Sequence, residues 1–306
     1  MKMFRYNEAE LYAASLQMGI VNLAKNQFAL GIKKTVGKIS QPINSYTRFP
    51  EYFFIAREIE RAARSANRRL RILDVGSPKM LGLITALKFN ADVHLTDIAN
   101  ENLDEYQLMW SAVGNKAKGN ASFAREDARS LSHPDCTFDI SYSMSVLEHV
   151  EGEDGDIRGM SELIRVTAPG GTIIVSVPFG NQYVEQQRYG FEGAARRAPD
   201  TKLYFFQRIY SPQECTSRLL KDRDRLSDFE CFTVFRAHPQ LARIYGALSE
   251  NVRGLVGFLN PLISYSVNRD APGITDDFDC SYNTISSPHD IYGDLILIAR
   301  KRMNNR

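Results

Sequence analysis

The sequence predicts an α/β protein organised on a doubly wound, mostly parallel sheet, and three observations predict it. From Phe49 onward, segments with apolar residues at helical spacing alternate with short apolar runs, the order expected of parallel strands joined by crossover helices. One of those runs, TIIVSVPF over 172–179, is continuous and β-branched, as in a strand covered on both faces. The third observation is RILDVGSPKMLG, residues 71–82, in which an apolar strand delivers Asp74 and Gly76 to a turn that opens a helix. Such a turn lies at the ligand edge of an α/β sheet, and a glycine there is expected to let a ligand approach the main chain.

The first 48 residues are expected to form a helical cap. Leu11, Leu16, Ile20, Leu23 and Leu30 are loosely amphipathic, and Lys25, Lys33, Lys34 and Lys38 leave a membrane-surface helix as the lesser alternative. FPEYFFIAREIERAARSA, starting at Phe49, predicts a helix with Phe53, Ile55, Ile59 and Ala63 inward. Its Arg57, Arg61 and Arg64, with Arg68 beyond, read either as a basic stripe for a phosphate or as a solvated face.

After the first strand and the helix from Met80 to Phe89, ADVHLTDIA predicts a second strand ending at Asp97. A carboxylate at that tip suits ribose hydroxyls, and an N-cap is the plainer alternative. A helix over Asn100–Ala112 and a third strand in ASFAREDARSL follow, the latter leading to Asp127 and Ala128. The fourth strand is CTFDISYSM, with SVLEHV expected to begin a helix. Residues from Glu162 to Ala168 predict a further helix, closed by Pro169-Gly170-Gly171 before the fifth strand.

Beyond Phe179 a Tyr-, Gln- and Arg-rich stretch is expected to form a loop or short helices over the ligand edge. Pro212–Leu220 predicts a helix, FECFTVFRA a sixth strand and GDLILIARK a last one. The sequence thus divides into a cap over 1–48, a core over 49–236, an insertion over 237–291 and a last strand with its tail over 292–306. Within the insertion, RGLVGFLNPLISYSV is apolar and too short to span a bilayer; it reads as core packing, a pocket lining or a surface anchor.

Composition limits the function. With 38 Lys and Arg against 36 Asp and Glu in 306 residues, the near balance excludes duplex nucleic acid as a first expectation. Cys136, Cys215, Cys231 and Cys280 form no CxxC pair, which predicts free thiols and no zinc site. Glu8 and Glu10 stand where a signal peptide needs apolar residues, and no apolar run reaches the roughly 20 residues of a membrane span, so a cytoplasmic protein is expected.

LDVG, Asp97, Asp127-Ala128, FDISYSMSVLEHV and PGGTIIVSVPF, in that order, resemble the class I S-adenosylmethionine-dependent methyltransferases over about 49–301, and the last two are similar to the family's small-molecule branch. The resemblance implies a Rossmann-like seven-stranded sheet whose last strand is antiparallel and inserted beside the fifth. It also implies S-adenosylmethionine as cofactor. Carried over by position, Asp74, Gly76 and Ser77 would frame the methionine portion and Asp97, with Ile98 beside it, the ribose. Asp127 and Ala128 would meet adenine, and Met144 would lie near the sulfonium.

One departure stands out: Ser77, Pro78, Lys79 and Met80 follow Gly76 where the family alternates glycines, and Pro78 lacks an N–H donor. Lys79 is left with two readings, pairing with the methionine carboxylate or pointing into water. The absence of GxGxxG also argues against a dinucleotide. His149 is the candidate general base, Tyr183, Arg188 and Tyr189 are candidate acceptor-site residues, and no metal constellation is expected. The expected activity is methyl transfer to a small molecule or glycan precursor, with oxygen the expected atom. A methyltransferase-like scaffold without catalysis is the alternative, and a homodimer is compatible with either.

Overall fold

The structure is a computed structural model that describes residues 49–192, 195–196, 201–235 and 293–303. The expected cap, the insertion and Cys280 lie outside the described residues. A seven-stranded sheet runs β10-β11-β5-β4-β1-β2-β3. Its strands are β1 (Leu70–Val75), β2 (Ala91–Asp97), β3 (Asn120–Arg125), β4 (Phe138–Met144), β5 (Thr167–Phe179), β10 (Leu226–Phe235) and β11 (Gly293–Lys301). β1 through β5 pair in parallel, while β11 is antiparallel to both β5 and β10, as the sequence resemblance implies.

The strand sequences are apolar on consecutive residues because helices cover both faces. In β1, Ile72 turns to one core and Leu73 to the other, and Ile174 and Val175 of β5 divide in the same way. The first core is covered by α1 (Phe49–Ser65), α2 (Met80–Lys88) and α3 (Asn100–Val113), the second by α4 (Gly155–Val166) and a π-helical turn over Cys215–Leu219. On α1, Ile55 and Ile59 are inward as expected, but Tyr52 and Phe54 are fully buried while Phe53 and Ala63 lie at the margin. The arginines follow the solvated-face reading: Arg57 pairs with Glu58 and Glu230, Arg64 with Glu60 and Arg68 with Asp139, while Arg61, Arg64 and Arg68 are largely exposed.

Three segments depart from expectation. SVLEHV starts no helix; it makes only a 3-10 turn over Leu147–His149, and one helix, α4, precedes β5. Pro169-Gly170-Gly171 does not end a helix but lies inside β5, with Gly170 at φ +76°. The stretch after β5 is neither loop nor helix. It forms a hairpin of β6 (Val184–Tyr189) and β9 (Leu203–Ile209), with the short pair β7 (Phe191–Glu192) and β8 (Ala195–Arg196) at its end. Among the described residues no helix is long and apolar enough to cross a membrane.

Phe54 of α1 stacks on Phe232 of β10 with ring centroids 4.3 Å apart, both rings buried. Phe54→Ala is expected to cost about 3–5 kcal/mol, read as a lowered denaturant midpoint with an unchanged slope.

Candidate active site

The carboxyl edge of β1, β2 and β4 carries a buried polar node centred on Asp74. Its carboxylate has no solvent exposure, and three donors compensate it: the Ser77 N–H at 3.1 Å, Lys79 Nζ at 2.9 Å and the Tyr142 hydroxyl at 2.7 Å. Burial raises the Asp74 pKa, against the pull of Lys79 and Tyr142; the Tyr142 phenol, buried beside that carboxylate, is pushed well up and stays a donor. Lys79 therefore points neither into water nor outward, but into the node with 1% of its side chain exposed.

The turn itself is closed. Gly76 adopts φ +69°, yet the space of its missing Cβ belongs to Val146, whose Cγ1 would stand 2.5 Å from that atom. The glycine is thus required by packing between the β1 and β4 turns, and the space of its absent side chain is taken by Val146 rather than left open to a ligand. Its N–H bonds the Thr96 carbonyl at 2.9 Å, and the Ser77 N–H is held by Asp74, so neither is a vacant anion donor. Ser77 Oγ, buried, accepts from the Met144 N–H at 2.8 Å, and the Met144 side chain lies in the core.

Around this node the other expected cofactor residues reach the same edge. Asp97, at the tip of β2, accepts from the Ala99 N–H through Oδ1 at 3.0 Å and turns Oδ2 toward Lys79 Nζ at 3.9 Å; the N-cap of α3 is Ala99, so Asp97 does not take the N-cap position of the plainer reading. Ile98 next to it is 59% exposed, an apolar side chain left open beside an acid. Beyond β3, both Asp127 oxygens are engaged by Arg129, at 3.0 Å from Nε to Oδ1 and 2.6 Å from Nη2 to Oδ2, and those bonds hold the Asp127 pKa low. Ala128 is packed against the second core. Two acids at adjacent strand tips with an exposed apolar residue between them fit an adenosyl group: polar hydroxyls on one side, a ring face on the other.

On the β4–β5 side, Glu51 of α1 is buried and accepts from the Ser145 hydroxyl at 2.6 Å and from the Ser176 hydroxyl, with Ser145 held at φ +49°. Next, His149 Nδ1 lies 2.6 Å from the Phe206 carbonyl of β9. A carbonyl only accepts, so Nδ1 carries the proton and Nε2 is the basic nitrogen, with Glu148 Oε1 at 3.7 Å. Phe206 also meets the His149 ring edge-on at 5.1 Å and carries the Arg188 guanidinium on its face at 3.7 Å, so the hairpin brings these two candidates to one ring. Tyr183 donates to Glu185 at 2.8 Å, and burial together with that bond pushes its pKa up to about 12; Tyr189 stands exposed at the hairpin's far end.

Sequence reading missed the group that clamps the hairpin. Arg208, fully buried, donates to the Val150 carbonyl at 2.7 Å and to the Gly152 carbonyl. Buried Asp156 accepts from Tyr210 at 2.8 Å and from Arg218 at 2.7 and 2.9 Å. Burial pushes the Asp156 pKa up, but Arg218, Arg208 and Tyr210 outweigh it and the net shift is downward. Glu51 left a fainter signal, an acid among aromatic residues at a helix start.

The carboxyl edge of the sheet thus gathers Asp74, Asp97 and Asp127 on one side and Glu51 and His149 on the other, at the edge where α/β sheets bind ligands. A family model described as a methyltransferase domain matches residues 73–175. Among solved structures, the chain is similar to an S-adenosylmethionine-dependent methyltransferase from Methanosarcina mazei, at 16% identity over 79% of this chain and 96% of that one, with a TM-score of 0.47. It is also similar to a putative sarcosine dimethylglycine methyltransferase from Galdieria sulphuraria, at 12% identity over 83% and 86% of the two chains, TM-score 0.48. A third is phosphoethanolamine N-methyltransferase 2 from Haemonchus contortus in complex with S-adenosylmethionine, at 15% identity over 82% of this chain and 53% of that one, TM-score 0.47. Residues 73–175 thus carry a methyltransferase domain, in a sheet of the order the sequence resemblance implies, and S-adenosylmethionine is the cofactor.

The downward shift of Asp156 fixes the sign of its pH effect. Its contribution to stability is complete above about pH 4, the ordinary aspartate range, and is lost as pH falls through its lower folded value. Asp156→Asn is expected to lower stability by about 3–5 kcal/mol at pH 7 and to flatten the acid limb of the stability curve. Denaturation at a series of pH values measures both.

Proposed function

We propose that this domain methylates a small molecule or glycan precursor at oxygen, with Asp97 binding the ribose hydroxyls, Ile98 and Ala128 flanking adenine, and His149 serving as general base. The observation that carries this reading is the 2.6 Å contact from His149 Nδ1 to the Phe206 carbonyl. It fixes the tautomer that a base needs and directs Nε2 away from the hairpin backbone. The bound cofactor supplies an activated methyl on a sulfonium, so the chain's part is alignment and removal of the acceptor's proton.

Asp74, Gly76, Ser77 and Met144 act on the cofactor through the shape of the edge: their hydrogen bonds and packing hold the β1 and β4 turns together. Asp127 meets adenine as an ion pair with Arg129 rather than as an isolated carboxylate. The acceptor lies against the hairpin, where Tyr183, Arg188 and Tyr189 offer two phenols and a cation. A sizeable, partly polar acceptor suits that chemistry, and the cation favours one carrying an acidic group.

Calorimetric titration with S-adenosylmethionine and S-adenosylhomocysteine tests the cofactor assignments: Asp97→Ala is expected to weaken both at least tenfold, about 1.4 kcal/mol. Unchanged affinity would remove Asp97 from the ribose. In a screen of hydroxyl acceptors with methyl-labelled cofactor, His149→Gln is expected to abolish the pH-dependent rise in transfer while leaving cofactor affinity intact. Transfer that keeps the wild-type pH profile in that variant would rule out His149 as the base.

A further inference from the structure

The SPK turn replaces the glycines of the family's pattern, and its lysine has one place to act. Lys79 Nζ lies between two carboxylates on neighbouring strands, 2.9 Å from Asp74 Oδ1 and 3.9 Å from Asp97 Oδ2. Asp74 has its own fixed company, the Ser77 N–H and the Tyr142 hydroxyl, so it holds the ammonium in place from below. Asp97 accepts from the Ala99 N–H through one oxygen and presents the other to Lys79. The ammonium sits sealed from water, where an attraction of this kind is screened far less than at the surface.

We propose that Lys79 is a positioning residue for recognition of the cofactor's ribose: it orients the Asp97 carboxylate as the acceptor of the two ribose hydroxyls. This rests on the ribose role of Asp97 proposed above and adds a second residue, from the departing turn, to that site. The groups that face the ammonium or its partner are Asp74 from β1, Asp97 from β2 and Tyr142 from β4, with the Tyr52 phenol of α1 acting on Tyr142. Of these, Asp97 alone is partly open to solvent, at 12% of its side chain, and able to meet a ligand directly. The role is therefore distinct from an ion pair between Lys79 and the methionine carboxylate, which would act at the other end of the cofactor.

Two probes separate the possibilities. S-adenosylhomocysteine contains adenine, ribose and the amino-acid end, whereas 5′-methylthioadenosine lacks the amino-acid end. Their dissociation constants are to be measured by calorimetry on the full chain for wild type, Lys79→Met, Asp97→Ala and the double variant. Lys79→Met is expected to weaken both probes by a similar factor, of tenfold or more, and the double variant to bind no more than about twofold worse than Asp97→Ala alone. Asp74→Asn with Lys79→Met removes the buried pair together, so it supplies the same measurement if the single variant does not fold.

Independent, multiplying losses in the double variant would overturn the proposal, because a merely structural lysine would not depend on Asp97. Loss of S-adenosylhomocysteine affinity with methylthioadenosine unchanged would overturn it in favour of a carboxylate contact. If Asp97→Ala itself leaves both probes unaffected, the ribose reading fails; if Asp97→Ala weakens them and Lys79→Met does not, only the present proposal fails.

Discussion

The structure depends on a carboxylate with no solvent exposure. Asp74 is fully buried at the tip of the central strand, and an ionised acid in that position is costly unless donors surround it. Its three donors come from its own turn, from the helix start and from β4, so satisfying one charge joins three elements at a common point. The same charge explains a residue that is otherwise misplaced. Lys79 occupies the N-cap of α2, where the helix dipole disfavours a cation and no side-chain cap forms. Beside Asp74 that disadvantage is offset, and the turn needs no glycine-lined anion cradle to be stable.

Most of this architecture was legible in the residues because both sheet faces are covered. Continuous apolar strands such as TIIVSVPF have no period to mistake, and the acids closing β1 and β2 interrupt apolar runs where strands must emerge from the core. The direction of Lys79 was not legible, since sequence spacing does not say whether a turn folds its third residue inward. The role of Gly76 was half legible: its left-handed backbone follows from the turn, but its neighbour is Val146, seventy positions away.

The misread segments share a cause. In SVLEHV the residues have helical character, yet Ser145 is held in the left-handed region with its N–H on β5 and its hydroxyl on Glu51, so the chain reverses before any helix starts. The β6–β9 hairpin carries polar residues on nearly every position of β6, which hides its alternation. What orders it is tertiary: Arg208, Arg218 and Tyr210 bind the loop before α4 through Asp156 and backbone carbonyls, contacts that no local pattern encodes.

β4 connects these two systems. Along eight residues the chain passes from Tyr142 of β4, bonded to Asp74, through Met144, bonded to Ser77, and Ser145, bonded to Glu51, to His149 in the 3-10 turn, bonded to the hairpin. The end of β4 and the short turn after it thus join the Asp74 node to the hairpin. In-line group transfer is sensitive to displacements of about 1 Å, and a site built on a strand whose neighbours lock each successive residue holds its geometry better than one spread over independent loops. Buried charges hold the segment from both sides, Asp74 through Tyr142 of β4 and Asp156 through Tyr210 and Arg218 beyond the hairpin, and under the proposed methyl transfer the sheet itself would set the distance between donor and acceptor.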